Sequence, residues 1–395
     1  MKILTVDIGT GTQDIYLYDS RQEMENGYKL VVPSPTMMVH RRLKAATRRK
    51  EAVLLTGVMM GGGPSHWAAR DHAKAGYPIY ATPEAAKTFD DDLENVGAQG
   101  ICVISEDEAA RLGDSVTRLE FRDFDFKGIV RSFGEFGVPL EDLAAVAVAV
   151  FDHGAAPPEV SDRQFRFDYL DEHIRTQNRL SAFAFKAKDV PAIMTRLQAV
   201  VDSADGIKAP LVVMDTAPAA VLGATLDPIV EAQERVLIAN VGNFHTLAFL
   251  LGSEGIEGVF EHHTGMLDLP KLEGLLRALA DGSLQHEDVF GDHGHGALIY
   301  GDAPLAFGQG EFDVVVTGPR RGMFRPMADD RQQPIVHRQS SRLRPYFPAP
   351  FGDMMITGCF GLLAAVADVL PDLADPIWAS LSQTGRAGIA PWDVE

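Results

Sequence analysis

Asp7 stands two residues ahead of a turn made of Gly9, Thr10, Gly11 and Thr12, with Gln13 behind it. Glycines and small hydroxyl residues let a turn offer backbone N–H groups and hydroxyls to an anion without steric cost. A carboxylate at Asp7 does not contact phosphate directly. It would instead hold a magnesium ion, through water, because that ion keeps much of its hydration shell. The same residues also make an ordinary strand–turn–strand.

Other residues carry chemical potential. Gly61, Gly62 and Gly63 fall between a strand pattern and a helix pattern, where N-terminal N–H groups hold an anion or the chain packs tightly. This run lacks the lysine and Ser/Thr of a Walker loop. Asp152-His153, Glu261-His262-His263, His286 and Asp292-His293-Gly294-His295 fall at strand or loop ends, a vocabulary shared by metal ligands and by hydrogen-bonded surface residues. His153 has the strongest case, because it follows a buried strand. Cys359 sits in an apolar context and reads as a small buried residue.

The elements that must position these residues alternate strand and helix. "KILTVDI" and "DIYLYD" read as two strands joined by the glycine turn. "AVLLTGVMMGGGPSHWAARDH" and its continuation read as a compact βαβ-like unit at about 51–105, and 165–204 as mostly helical. "APLVVMDTAPAAVLGATLDP" reads as a buried strand, a turn at Asp215-Thr216 and a short helix. "ERVLIANVGNFHTLAFLLGSEGIEGVFEHHTG" reads as three strands, and "LPKLEGLLRALADG" and "FGDMMITGCFGLLAAVADVL" as helices flanking a proline- and arginine-rich loop. The segments around Asp7 and Asn240 share one layout, strand, small polar turn, strand, with a polar residue two positions before glycine. That repetition suggests two related halves facing each other across a cleft. The expected division is an N-terminal domain over 1–205 and a C-terminal domain over 206–395.

With 36 basic against 55 acidic residues, the chain carries a formal charge of −19, which excludes wholesale nucleic-acid binding. The basic run from His40 to Lys50 reads as a solvated helix face. Two cysteines, Cys102 and Cys359, exclude a disulfide scaffold and an iron–sulfur cluster held by this chain's thiolates alone. The chain starts on a strand pattern without a signal-peptide layout, and no apolar run reaches the length of a bilayer. The expected location is the cytoplasm, with no membrane partner.

Taken in order, "VDIGTGTQDIYLYD", "VVMDTAPAAVLGA", "VLIANVGNFHTLAFLL", "DVVVTGPRRGM" and "GDMMITGCFGLLAAV" resemble the motif series of the actin-like ATPase superfamily, which includes sugar kinases and heat-shock chaperone ATPases. "LTVDIGTGTQDIYLYD", "TGVMMGGGPSHWAARDH" and "FEHHTG" resemble, at closer range, a family that carries the label "putative pyruvate formate-lyase activating enzyme". The superfamily resemblance implies an α/β, actin-like ATPase (ribonuclease H-like) fold of duplicated domains around a central cleft, with an inserted βαβ unit. It implies ATP and Mg2+ as cofactors. Asp7 would face metal and phosphate, with Gly9, Thr10, Gly11 and Thr12 at the phosphate. Gly242, Asn243, His245 and Thr246 would form a second phosphate loop, and Gly318 with Arg320 or Arg321 would meet the nucleoside. Asp152 or Asp215 would accept the proton of an attacking hydroxyl.

The second loop departs from the superfamily pattern. Catalytic members carry an aspartate where this chain has Asn240, which is neither an anionic ligand nor a base. Phe244 adds bulk where phosphate passes, and His245 could restore some hydrogen-bonding character. Three readings follow: an ATPase or small-molecule kinase, a nucleotide- or anion-sensing module without catalysis, and a metal-dependent enzyme that uses the histidine loops. The substrate, small molecule or protein, stays open, as does a homo-oligomer.

Overall fold

Alternating and continuous apolar runs organise the chain into sixteen strands among the described residues, which are 1–113, 115–325, 342–382 and 391–393 of a computed structural model. Two compact units result. The first comprises Met1–Arg21, Gly27–Ala155 and Ala184–Thr216, and the second comprises Gln22–Asn26, Ala156–Phe183 and Ala217–Glu395.

In the first unit the strands are β1 (Lys2–Ile8), β2 (Thr12–Asp19), β3 (Tyr28–Pro33), β4 (Val53–Gly57), β5 (Ile79–Ala81), β6 (Cys102–Val103), β7 (Thr117–Phe121), β8 (Leu143–Val150), β9 (Ala184–Lys186) and β10 (Leu211–Asp215). They form a six-stranded sheet of order β3-β2-β1-β8-β10-β9 and a four-stranded sheet of order β6-β5-β4-β7. β1, β2 and β3 are an antiparallel meander, whereas β1, β8 and β10 run parallel. Parallel strands are covered on both faces, and β8 is accordingly buried without a break from Ala145 to Val150.

The four-stranded sheet is all parallel, with the helix Pro64–Lys74 linking β4 to β5. The basic run lies on the helix Pro35–Arg49, capped by Ser34. It buries Val39, Leu43 and Ala46 and leaves Arg41, Arg42, Arg48 and Arg49 exposed. The period of 3.6 thus separates its apolar stripe from a solvated basic face.

The second unit contains β11 (Val236–Val241), β12 (His245–Gly252), β13 (Gly255–His263), β14 (Gly296–Ile299), β15 (Val314–Thr317) and β16 (Pro345–Tyr346) in the order β14-β13-β12-β11-β15-β16. β11 to β14 are antiparallel, and β15 joins β11 in parallel. Leu272, Leu276 and Leu279 of the helix Leu269–Asp281 pack with Leu237, Val241 and Phe260 of the sheet. Each six-stranded sheet therefore contains an antiparallel meander whose first strand pairs in parallel with a later one, β1 with β8 and β11 with β15.

One local expectation needs correction, and another gains a strand. No turn separates Asp215 from Thr216, because β10 runs directly into the helix Thr216–Ala224. The stretch 165–204 is mostly helical, as expected, with one strand inserted. The helix Asp162–Thr176 and a 3-10 turn at Leu180–Phe183 precede β9, whose Ala184, Phe185 and Lys186 pair antiparallel with β10, and a second 3-10 turn at Ala187–Asp189 and the helix Thr195–Asp202 follow it. An available sheet edge outweighed helix propensity there. Most of the proline- and arginine-rich loop, 326–341, lies outside the described residues. No single helix among the described residues is long and apolar enough to cross a membrane.

Candidate functional site

Three sequence-predicted carboxylates fall at the carboxyl ends of adjacent parallel strands in the first unit. Asp7 is the penultimate residue of β1, Asp152 follows β8 by two residues, and Asp215 ends β10. The register aligns Asp7 with Ala149 and aligns Asp215 with Val150. Strand ends of this kind are where parallel sheets place their ligands.

The hairpin after Asp7 closes through a bond from the Gly9 amide to the Thr12 carbonyl, 2.9 Å. Ser34 fixes the loop from outside. Its hydroxyl donates to the Thr10 carbonyl at 2.5 Å, and its amide donates to the Gly11 carbonyl at 3.2 Å. A trans peptide points its N–H opposite its C=O, so the Gly11 and Thr12 amides turn away from Ser34.

The Thr216 hydroxyl donates to Asp7 Oδ1 at 2.6 Å. Although Asp7 keeps part of its surface open to solvent, desolvation by the surrounding protein raises its pKa to about 6. The Thr216 bond opposes that shift, and the neighbouring Asp215 charge adds to it.

Asp152 is differently committed. One carboxylate oxygen accepts from the Gly154 amide at 2.9 Å and the other from the Leu197 amide at 2.8 Å, in the first turn of the helix Thr195–Asp202. Burial pushes its carboxyl up, and the two amides and the Arg196 charge act against that. His153, next along, rests edge-on against the Phe151 ring at 4.7 Å.

The Gly61–Gly63 loop already holds an anion of its own. The Gly61 amide donates to both oxygens of Asp123 at 3.1 Å, while Arg196 grips the same carboxylate through Nε at 2.7 Å and Nη2 at 3.1 Å. The Ser65 amide, at the start of the following helix, donates to Thr36 Oγ1. A Cβ at residue 61 would come within 2.5 Å of Arg196 Nη2, so a side chain there would displace the guanidinium. Of the two readings of this loop, tight packing fits these bonds.

In the second unit the hairpin from β11 to β12 closes as the first one does, from the Gly242 amide to the His245 carbonyl at 2.9 Å. Asn243 and Phe244 form its tip, and the Phe244 carbonyl accepts from the Thr264 amide at 2.7 Å. Thr246 is fully buried, with its hydroxyl 2.9 Å from that of Thr264. Gly318, at φ +93°, brings the end of β15 against this hairpin. A Cβ there would lie 2.5 Å from the Val241 carbonyl and 2.6 Å from Asn240 Oδ1. The Arg320 amide bonds the Val241 carbonyl at 2.9 Å, and the Arg320 side chain is exposed.

His245 belongs to a buried charge network. Its Nδ1 is 2.6 Å from Glu261 Oε1, and Arg166 Nε donates to the other oxygen at 2.6 Å. Burial would raise the Glu261 carboxyl, but Arg166, His295 and His245 outweigh it and hold it well below its ordinary value. The neighbours in Glu261-His262-His263 separate by strand alternation. His262 bonds Asp292 at 3.1 Å, while His263 packs against His245 with ring centres 5.1 Å apart. His286 stacks on Phe290 at 5.2 Å.

Thr216, Arg196, Asp123 and Arg166 were not foreseen from the sequence. Arg166 left a signal: with Leu170 and Ile174 it occupies the buried stripe of its helix, where an arginine needs a buried partner.

A model of the family described as "Putative pyruvate format-lyase activating enzyme (DUF1786)" matches residues 60–323. No curated protein matches the chain. Among solved structures, the ROK hexokinase from Thermus thermophilus is similar at 12% identity, over 65% of this chain and 48% of that one, with a TM-score of 0.23. An exopolyphosphatase-like protein shares 11% identity over 71% of this chain and 59% of its own, with a TM-score of 0.22. The nucleotide-free acetone carboxylase structure, from work on ATP-dependent acetone carboxylation, shares 11% over 65% and 45%, with a TM-score of 0.21. The chain spans about half the length of these solved structures.

Proposed function

The chain belongs to the family of that description, and we propose that it is a nucleotide-binding protein of actin-like type that takes ATP with Mg2+ and acts as an ATPase or small-molecule kinase. The observation that carries this reading is the juxtaposition, at one sheet end, of Asp7, Asp215 and a glycine hairpin whose Gly11 and Thr12 amides face away from their anchor. Outward amides suit phosphate oxygens.

Asp7 supplies a hard carboxylate donor of the kind magnesium takes, and its raised pKa marks a place short of positive charge. When bound, magnesium would offset phosphate charge. Thr216 orients Asp7. Asp152 is engaged by two backbone amides, so we assign proton acceptance to Asp215. The second hairpin carries the neutral Asn240 and a buried Thr246 hydroxyl, and we assign Gly242 and Asn243 to binding rather than catalysis.

The family's description names an activating enzyme. An iron–sulfur cluster takes more thiolates than this chain's two cysteines provide, and Cys359 is buried. Those residues do not fit such a cluster.

Calorimetry with Mg-ATP, followed by ADP release, tests the proposal. Wild type is expected to bind and turn over. Asp215→Asn is expected to bind with turnover reduced by about 10²-fold or more. Binding without turnover in the wild type favours the sensing reading, and no binding of nucleotide removes both.

A further inference from the structure

The second unit holds a group of imidazoles that the nucleotide reading does not use. His245 begins β12, His263 ends β13 directly opposite it, and His295 precedes β14 with its amide bonded to the Glu261 carbonyl at 2.9 Å. The three ring centres are 4.8, 4.8 and 5.1 Å apart. Three imidazoles bound to one ion at 2.0–2.1 Å, each ring centre about 1 Å further out, place their centres about 5 Å apart in a tetrahedral arrangement. Ligand nitrogens of His245 and His295 lie within 4.8 Å of each other.

We propose that His245, His263 and His295 form a binding site for a divalent transition metal of the zinc class, with Glu261 as its outer carboxylate. This proposal does not depend on nucleotide binding.

The surroundings suit such an ion. Glu261 accepts from His245 Nδ1, which turns His245 Nε2 away from the carboxylate as the ligand nitrogen. Its other oxygen accepts from Arg166 Nε at 2.6 Å, so both oxygens of the outer carboxylate are held in place. Access is graded from His295, at 1% exposure, to the half-buried His245 and His263. Three protein nitrogens leave one tetrahedral position for water or a small anion, the pattern of catalytic rather than purely structural zinc sites.

The test is titration of the chelator-treated full chain with Co2+ alone, followed by visible ligand-field absorption, then by displacement with Zn2+. One equivalent of Co2+ is expected to develop intense bands that Zn2+ removes. His263→Ala and His295→Ala should each weaken Co2+ binding at least ~10-fold, and Glu261→Gln by ~10–100-fold. His66→Ala, in the other unit, should leave it unchanged. Because His263 is half-buried, its variant reports on the site if the core of His295 or Glu261 variants fails to fold. Absence of stoichiometric absorption in the wild type, or an unaltered affinity in His263→Ala, overturns the proposal.

Discussion

Thr216 donates its hydroxyl to Asp7 at 2.6 Å across 209 residues of sequence. The bond joins the end of β1 to the first turn of the helix that follows β10, with β8 between the two strands. It is the opposing influence that keeps Asp7 from rising further than about 6. Thr216→Val keeps the shape and removes the donor. The expected result is a higher Asp7 pKa, read by carboxyl carbon NMR, and a Mg-ATP binding profile whose acid limb moves up in pH. Hydrogen bonds to charged groups contribute about 1.5–3 kcal/mol, so stability above pH 7 should fall by that order. An unmoved titration would show that the bond does not govern Asp7.

Asp7 itself gives a stability prediction with a definite sign. Its pKa rises from 3.8 in the unfolded chain to about 6 in the fold, so the folded form binds the proton more tightly. The associated stabilisation is complete below pH 3.8 and is lost as pH rises through about 6. Asp7→Asn removes that loss. At pH 7.5 the variant should be more stable than wild type by ~2–3 kcal/mol, with little difference at pH 3.5. It should bind Mg-ATP more weakly. Denaturant melts at the two pH values decide it, and parallel pH profiles for variant and wild type would refute it.

The second unit has the opposite pH dependence. Glu261 is held well below the usual carboxylate range, and His295 is lowered from 6.5 to about 3. The unfolded chain therefore binds more protons at both groups in acid, and stability falls as pH drops from about 6.5 towards 3. The histidine alone accounts for on the order of 4 kcal/mol. His295→Asn should flatten the acid limb between pH 6.5 and 4 when the unfolding of this unit is followed by hydrogen exchange at β12 and β13. A limb as steep as that of wild type would place the acid sensitivity elsewhere.

Removing one partner of the buried Arg166–Glu261 pair should cost more than removing both. Arg166→Met leaves Glu261 ionised in the core and should cost ~3–5 kcal/mol. Adding Glu261→Gln should recover part of that, which a double-mutant cycle in urea would measure. Additive single effects would mean that the two charges are not coupled.

What the sequence disclosed follows from the range of each signal. The two hairpins were legible because strand, glycine turn and strand are local, and Gly9 and Gly242 close their turns with the same amide-to-carbonyl bond. The partners of Asp7, Asp123 and Glu261 were not legible, because Thr216, Arg196 and Arg166 are brought to them by sheet order and helix packing. The pair His262 and His263 shows a finer limit. Adjacent letters look like one cluster, yet strand alternation sends them to Asp292 and to His245 respectively. The Gly61–Gly63 run illustrates the converse, since its composition suits a foreign anion and the fold supplies Asp123.

Gly318 offers the sharpest test of the second hairpin's architecture. Its φ of +93° is one that L-residues rarely adopt, and an added Cβ would press on the Val241 carbonyl at 2.5 Å and on Asn240 Oδ1 at 2.6 Å. Both contacts are to the strand that carries the hairpin, so the strain cannot be relieved by a flexible side chain alone. Gly318→Ala should therefore cost ~1–3 kcal/mol and lengthen the bond from the Arg320 amide to Val241. The accompanying sign is faster exchange of the Arg320 and Gly242 amides, with exchange in β13 unchanged. Gly322→Ala, four residues on with open space at its Cβ and no positive φ, is the control and should cost well under 1 kcal/mol. Equal costs at the two glycines would mean that the close approach of β15 to the hairpin does not constrain residue 318.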